Sequence, residues 1–189
     1  MSPIDHPLFQ QPWPEGDYRF FQLGFVVEDL AVAAGKWAHV FGVGPFHMTP
    51  VFESRMVYRG REAVLRGQVA VTQTGPVQIE LYHQLCDTPS VYREWSRDGA
   101  CQFHQLATVT PDYDGQKAHY EGLGYPVVAE NVGNIRVAYI DTLGDFGFYT
   151  EVVEQSRGFL ANLQKLSTTS ATWDGTRPIR LLTPDGRNQ

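Results

Sequence analysis

Cysteine is almost missing from this chain, which holds only Cys86 and Cys101 in 189 residues. Two cysteines so spaced make no disulfide framework and lack the paired spacing of a zinc ribbon or finger, so both read as reduced thiols. Long apolar runs are missing as well. No stretch reaches the roughly 18 apolar residues of a spanning helix, and the opening segment MSPIDHPLFQQPWPEGDYR has neither the basic nor the apolar part of a signal peptide. A cytoplasmic location is therefore expected. Basic clusters are absent too: the formal net charge is −6, which leaves no electrostatic footprint for nucleic acid or an anionic membrane. The twelve prolines and eighteen glycines are scattered, and 42% hydrophobic with 19% charged residues is the composition of a folded globular chain. Its length suits one generous domain or two small modules around a shared core.

Periodicity divides the chain into two similar halves. Phe20–Val27 is a nearly continuous apolar run and predicts a buried strand. Asp29 to Gly42 has apolar residues at helical spacing, with Asp29 as N-cap and Gly42 as stop. Pro45–Glu53, Ala63–Thr74 and Val77–Leu85 predict strands, the last entered through the turn Gly75-Pro76. After a connector with a short helix over Val91–Ser96, the pattern begins again: strand Phe103–Thr110, helix Tyr113–Gly124, strands Val127–Glu130, Ile135–Asp141 and Gly147–Glu154. Gln22 to His104 and Gly42 to Gly124 share one offset of 82 residues, which points to an internal repeat. The expected organisation is an N-terminal arm (1–19), a first βαβββ module (20–85), a connector (86–101), a second βαβββ module (102–154) and a C-terminal helix and tail (155–189). The fold class is α+β, a curled mixed sheet around a central site, with a C-terminal helical appendage.

Four polar residues interrupt apolar strands where a core wants none: Gln22 in FFQLGFVV, Glu80 in VQIELYHQL, His104 in CQFHQLATV and Glu151 in FYTEVVE. A carboxylate taken out of water costs several kcal/mol unless paired, hydrogen-bonded or bound to a cation. Each residue alone has an ordinary explanation. His104 could be a hydrogen-bonded core histidine, Glu80 could face water, and Glu151 could pair with Arg136 or Arg157. Their matching placement, two per half on first and last strands, favours a metal site of O, O, N and O donors suited to Zn, Ni, Co, Mn or Fe(II). With no cysteine among the ligands, water or substrate would fill the open positions, as in a catalytic centre.

The phrases FQLGFVVEDLAVAAGKWAHVFGVGPF, VQIELYHQL, FHQLATV, GYPVV and TEVVE resemble the vicinal oxygen chelate superfamily, which groups glyoxalases, bleomycin-resistance proteins and extradiol dioxygenases. The resemblance covers about Phe20 to Glu154 and is nearest the glyoxalase-like branch. It implies two ligands per module, here Gln22 with Glu80 and His104 with Glu151, and this set is similar to that of the zinc glyoxalase I. Zinc is accordingly the expected ion. The chain departs from the epimerases and dioxygenases of the family in having Gln22 where they have histidine, and a single histidine disfavours oxygen activation.

The resemblance implies a metal-dependent lyase or isomerase working through a metal-stabilised enolate or alkoxide, and the many aromatic rings, Tyr82 and Tyr149 among them, point to a small apolar or aromatic carbonyl or hydroxy compound as its substrate. Glu151 would move the proton, with Glu80 as the alternative or second base, and Tyr82, two residues from Glu80 on the same strand face, could give a proton to an oxyanion. Tyr149 shares that relation with Glu151. Arg59 and Arg136 could hold a substrate carboxylate, with a solvated surface role as the alternative. His39, His83 and His119 fall on helix or opposite-face positions. A metal-free small-molecule binding protein and an Fe(II) dioxygenase are the rival readings. The modules can pair within one chain or across two, which leaves a homodimer open.

Overall fold

The computed structural model describes residues 19–94, 101–133 and 135–182. Residues 1–18 of the expected N-terminal arm, residues 95–100 of the connector and the last residues of the tail therefore lie outside the described residues. The first half runs β1 (Arg19–Val26), α1 (Leu30–Phe41), β2 (Phe46–Met48), β3 (Phe52–Tyr58), β4 (Arg61–Thr74) and β5 (Val77–Gln84). A short α2 (Val91–Glu94) follows. The second half runs β6 (Gln102–Thr110), α3 (Tyr113–Gly122), β7 (Val127–Val132), β8 (Arg136–Ile140), a one-turn α4 (Leu143–Phe146) and β9 (Tyr149–Glu154). The appendage is α5 (Arg157–Ala171) and β10 (Ile179–Leu181).

Local chemistry accounts for these boundaries. The Asp29 side chain accepts from Val32 N at the start of α1, and Gly42 ends it at φ 64°. The expected strand Pro45–Glu53 is instead split, with β3 beginning at Phe52 and pairing with β4 across a hairpin at Arg59-Gly60, where both residues have positive φ. Such a turn matches the twist of its flanking strands.

In each half the first strand lies parallel to its own last strand, β1 beside β5 and β6 beside β9. Antiparallel pairing of β1 with β6 and of β3 with β7 joins the halves within one chain, and β4 pairs with β5. Eight strands in the order β4-β3-β7-β8-β9-β6-β1-β5 thus curl into a closed barrel, with β2 and β10 as an extension beyond β4. The interior cluster joins Met56, Leu65, Tyr82, Ala129, Tyr139 and Tyr149, and α2 contributes Val91 and Tyr92 to it. Outside the barrel, α1 packs Leu30, Ala33 and Ala34 against Ile79 and Leu81, while α3 packs Tyr113 against Ala138, Ile140 and Val152. Helix α5 is capped by Ser156 and places Phe159 edge-on to Phe21, ring centroids 5.3 Å apart. Among the described residues no helix is long and apolar enough to cross a membrane.

Candidate active site

Strand register brings the candidate residues together at the seam of the two halves. On β1, Gln22 lies opposite Ala107 of β6, and Gly24 lies opposite both Glu80 of β5 and Gln105 of β6. On β9, Glu151 lies beside Ala107 and opposite Tyr139 of β8. β6 carries an irregularity here: Gly24 pairs with Gln105 and Phe25 with Phe103, so His104 is the extra residue of a bulge.

The bulge decides which side chain enters the site. Gln105 Nε2 donates to Glu80 Oε2 at 2.9 Å and reaches Glu151 Oε2 at 3.4 Å, so one amide joins the two carboxylates. Gly24 makes room for it, since a Cβ there would overlap the Gln105 amide. Tyr139 donates its hydroxyl to Glu151 Oε1 at 2.8 Å and shares a 2.7 Å hydrogen bond with Tyr92. Gln22 donates to Gln78 Oε1 at 2.6 Å, and its own Oε1 is buried without a hydrogen-bond partner among the described residues.

This differs from the ligand set expected from sequence at one position. Gln22, Glu80 and Glu151 converge, and Gln105 stands with them. His104 does not: it is fully buried, its Nε2 lies 3.1 Å from Val91 O, its Nδ1 meets Gln105 Oε1, and its ring packs against Tyr92 and Tyr149. Burial holds it well below the ordinary imidazole range, at about 4. Among the described residues no three His, Cys, Asp or Glu side chains are grouped to hold a metal ion. A signal for Gln105 is present in the sequence: Gln22-Leu23-Gly24 is repeated as Gln105-Leu106-Ala107, a Gln-Leu-small triplet that sets His104 one residue out of register.

The remaining candidates are placed as follows. The hydroxyl of Tyr82 is buried beside Gly67 without a hydrogen-bond partner among the described residues, and its ring stacks on Tyr92 at 3.9 Å. Tyr139, not Tyr82, reaches a carboxylate. Tyr149 donates to Glu94. Arg136 is bound to Asp114 and Glu154 instead of Glu151, and Arg59 is bound to Glu94.

The two carboxyl groups are both harder to ionise than usual. Enclosure by the barrel and the charge of Glu151 push Glu80 up to about 8, against the pull of the Gln105 amide. Burial pushes Glu151 up to about 7, with Tyr139 and Gln105 opposing. Two carboxylates this close do not both ionise readily near neutrality unless a cation joins them. Gln22, Glu80 and Glu151 open onto a cavity of about 320 Å³ walled by Phe21, Ile135, Val137, Val153 and Phe159.

The residues present fit a divalent cation, because a buried amide oxygen without a partner among the described residues lies in the same cavity as two carboxylates. They are oxygen donors, which suits a hard ion such as Mg²⁺ or Mn²⁺ more than the zinc expected with His104 in the set.

Comparison with known proteins agrees with this architecture. A family model described as the glyoxalase/bleomycin resistance protein/dioxygenase superfamily matches residues 21–139. The chain belongs to that superfamily. Methylmalonyl-CoA epimerase from Mycobacterium tuberculosis is 20% identical with a TM-score of 0.56, covering 80% of this chain and 97% of that one. A variant of the Streptomyces coelicolor methylmalonyl-CoA epimerase, in complex with 2-nitronate-propionyl-CoA, is 19% identical with a TM-score of 0.54, covering 75% of this chain and 99% of that one. At such identity the likeness is one of fold. No match is found among curated protein sequences.

Proposed function

We propose that the chain is an isomerase, or a lyase using the same first step, that removes a proton next to the carbonyl of a small, largely apolar compound. The observation that carries this reading is the carboxylate pair, Glu151 buried and Glu80 half-buried, joined by the Gln105 amide at the wall of a partly apolar cavity. Proton transfer needs one group ready to accept and another ready to give near neutral pH, and two carboxyls raised to about 7 and about 8 meet that need.

The hydrogen bonds assign the roles. Tyr139 donates to Glu151 and so favours its anion, which makes Glu151 the base. Glu80 receives only the amide, retains a proton more readily, and is the acid that returns one to the substrate. Phe21, Phe159, Ile135, Val137 and Val153 exclude water from the reacting carbon and bind its apolar part. Among the described residues no arginine, lysine or histidine lines the cavity, which supports a substrate without an anionic group at this end. A divalent ion held by Gln22, Glu80 and Glu151 would supply charge stabilisation at the substrate oxygen.

The test is solvent-deuterium exchange into a panel of apolar and aromatic carbonyl compounds, with and without added Mg²⁺ or Mn²⁺. Exchange by the native chain and its loss in Glu151→Gln is the expected result. A folded Glu151→Gln variant that exchanges as fast as the native chain overturns the base assignment.

A further inference from the structure

A second cavity, of about 250 Å³, lies at the C-terminal end of α5 and shares no wall residue with the one that holds Gln22, Glu80 and Glu151. Gly42 and Ala171 line it, so it sits where α1 and α5 both end. The C-terminus of a helix carries the equivalent of about half a negative charge, and two such ends come to about one. Gln73 of β4 stands in the same wall. Its Nε2 donates to Gly75 O at 3.1 Å, but its Oε1, on a residue only 8% exposed, has no hydrogen-bond partner among the described residues. An acceptor left so in the interior costs stability, and a donor lodged in the cavity supplies what it lacks.

The rest of the wall agrees in sign. Ser167 and Ser170 add hydroxyl oxygens, and the Ser170 hydroxyl lies 3.4 Å from that of Thr72, which ties α5 to β4. Trp173 closes one side, its benzo ring so near Gly44 that a Cβ there would come within 2.8 Å of it. Among the described residues no charged side chain lines the cavity. An anion would face two negative helix ends here, and a divalent ion would find no carboxylate to neutralise it. We propose that this cavity binds a small primary alkylammonium ion: Gln73 Oε1 and the two serine hydroxyls accept its N–H groups, the ends of α1 and α5 balance its charge, and Trp173 with Val43 covers its short carbon chain. The site is independent of the proton-transfer reading.

The experiment follows amide nitrogen-15 shifts of the full chain on titration with propylammonium chloride. The controls are 1-propanol, neutral and of the same length, and tetramethylammonium chloride, a cation without N–H groups. Propylammonium should shift the amides of Gly42, Gly75 and Ala171, and the two controls should bind at least about tenfold more weakly, since a hydrogen bond to a charged group carries that much. Gln73→Leu keeps most of the side-chain bulk and removes the acceptor, so it should weaken propylammonium binding about tenfold or more without lowering the melting temperature. Ser167→Phe fills the cavity from α5 with Gln73 intact and should abolish the shifts, which decides the matter if Gln73→Leu does not fold. Glu151→Gln should bind the ion as the native chain does. Absent shifts at these three amides, equal affinity for either control, native affinity in a folded Gln73→Leu or Ser167→Phe chain, or binding lost in Glu151→Gln overturns the site.

Discussion

The two halves of the barrel offer the same pair of residue types at the seam, glutamine on the first strand and glutamate on the last, yet they furnish them differently. Gln22 sits opposite Ala107 and bonds sideways to Gln78 within its own half. Gln105 sits opposite Gly24, and the missing Cβ lets its amide cross into the other half and reach Glu80. The glutamates differ in the same sense. Glu151 accepts a hydroxyl from Tyr139, while no hydrogen bond from Tyr82 reaches Glu80. A repeat of two similar copies thus acquires a direction, because a bulge, a glycine and a tyrosine hydroxyl each set one copy apart from the other.

The comparison is broken most severely at the base. Glu151→Gln should lower deuterium exchange about 10²–10⁴-fold, the usual range for losing a positioned proton acceptor. Glu80→Gln should cost less in the exchange direction that starts from Glu151. Equal losses for both variants, measured as initial exchange rates, would mean that the halves share the base role and that Tyr139 gives no direction.

Gly24→Ala tests whether one half must yield space to the other. The new methyl overlaps the Gln105 amide, so either the amide leaves the carboxylates or β1 and β6 separate. Overpacking of this kind costs about 1–3 kcal/mol. A lower melting temperature together with about tenfold slower exchange is expected, in line with that cost; native values for both would show that Gln105 has room to spare.

Tyr139→Phe removes the hydroxyl that favours the Glu151 anion. A hydrogen bond to a charged group is worth about 1.5–3 kcal/mol, so roughly tenfold slower exchange at neutral pH is expected, with the acid limb of the rate profile moved to higher pH. A lower rate with an unmoved limb would make the hydroxyl a packing feature only.

Stability against pH probes both glutamates at once. Their carboxyls rise from the ordinary value near 4.5 to about 7 and about 8 on folding. A group raised by folding contributes stability below its unfolded value and loses it as pH climbs through the folded one, so the melting temperature in chelator should fall between about pH 4.5 and 8. Mn²⁺ should flatten this decline, and Glu80→Gln should halve it or more. A melting temperature that rises across this window in chelator would show that the pair is ionised at no cost.

Much of this is legible in the sequence, and the misses have physical causes. Helix α1 announces itself through Asp29 and Gly42, which cap it as expected. Gln22, Glu80 and Glu151 stand out because polar groups in apolar strands need partners, and the structure gives Glu80 and Glu151 one in common. β3 is not legible beyond its first residues, since FESRMVY alternates with charges on an exposed face and carries little apolar signal. His104 reads as the inward residue because simple alternation knows nothing of a bulge, which adds one residue to a strand without changing its composition. The repeat itself holds the correction, in the Gln-Leu-small triplet.

The smallest effect is expected at Tyr82. Its hydroxyl is buried beside Gly67 with no hydrogen-bond partner among the described residues, so the folded chain bears the cost of taking it out of water. Tyr82→Phe keeps the ring stacked on Tyr92 and removes that cost, and the melting temperature should stay level or rise by an amount worth about 1 kcal/mol or less. The rate separates two roles for this residue. If Tyr82 gives a proton to a substrate oxygen, as its place two residues from Glu80 suggests, the variant slows as much as Tyr139→Phe does. If the geometry governs, exchange stays within about twofold of the native chain, because the hydroxyl that touches the carboxylate pair is that of Tyr139 on β8, and Tyr82 on β5 serves the packing of the interior shared by both halves.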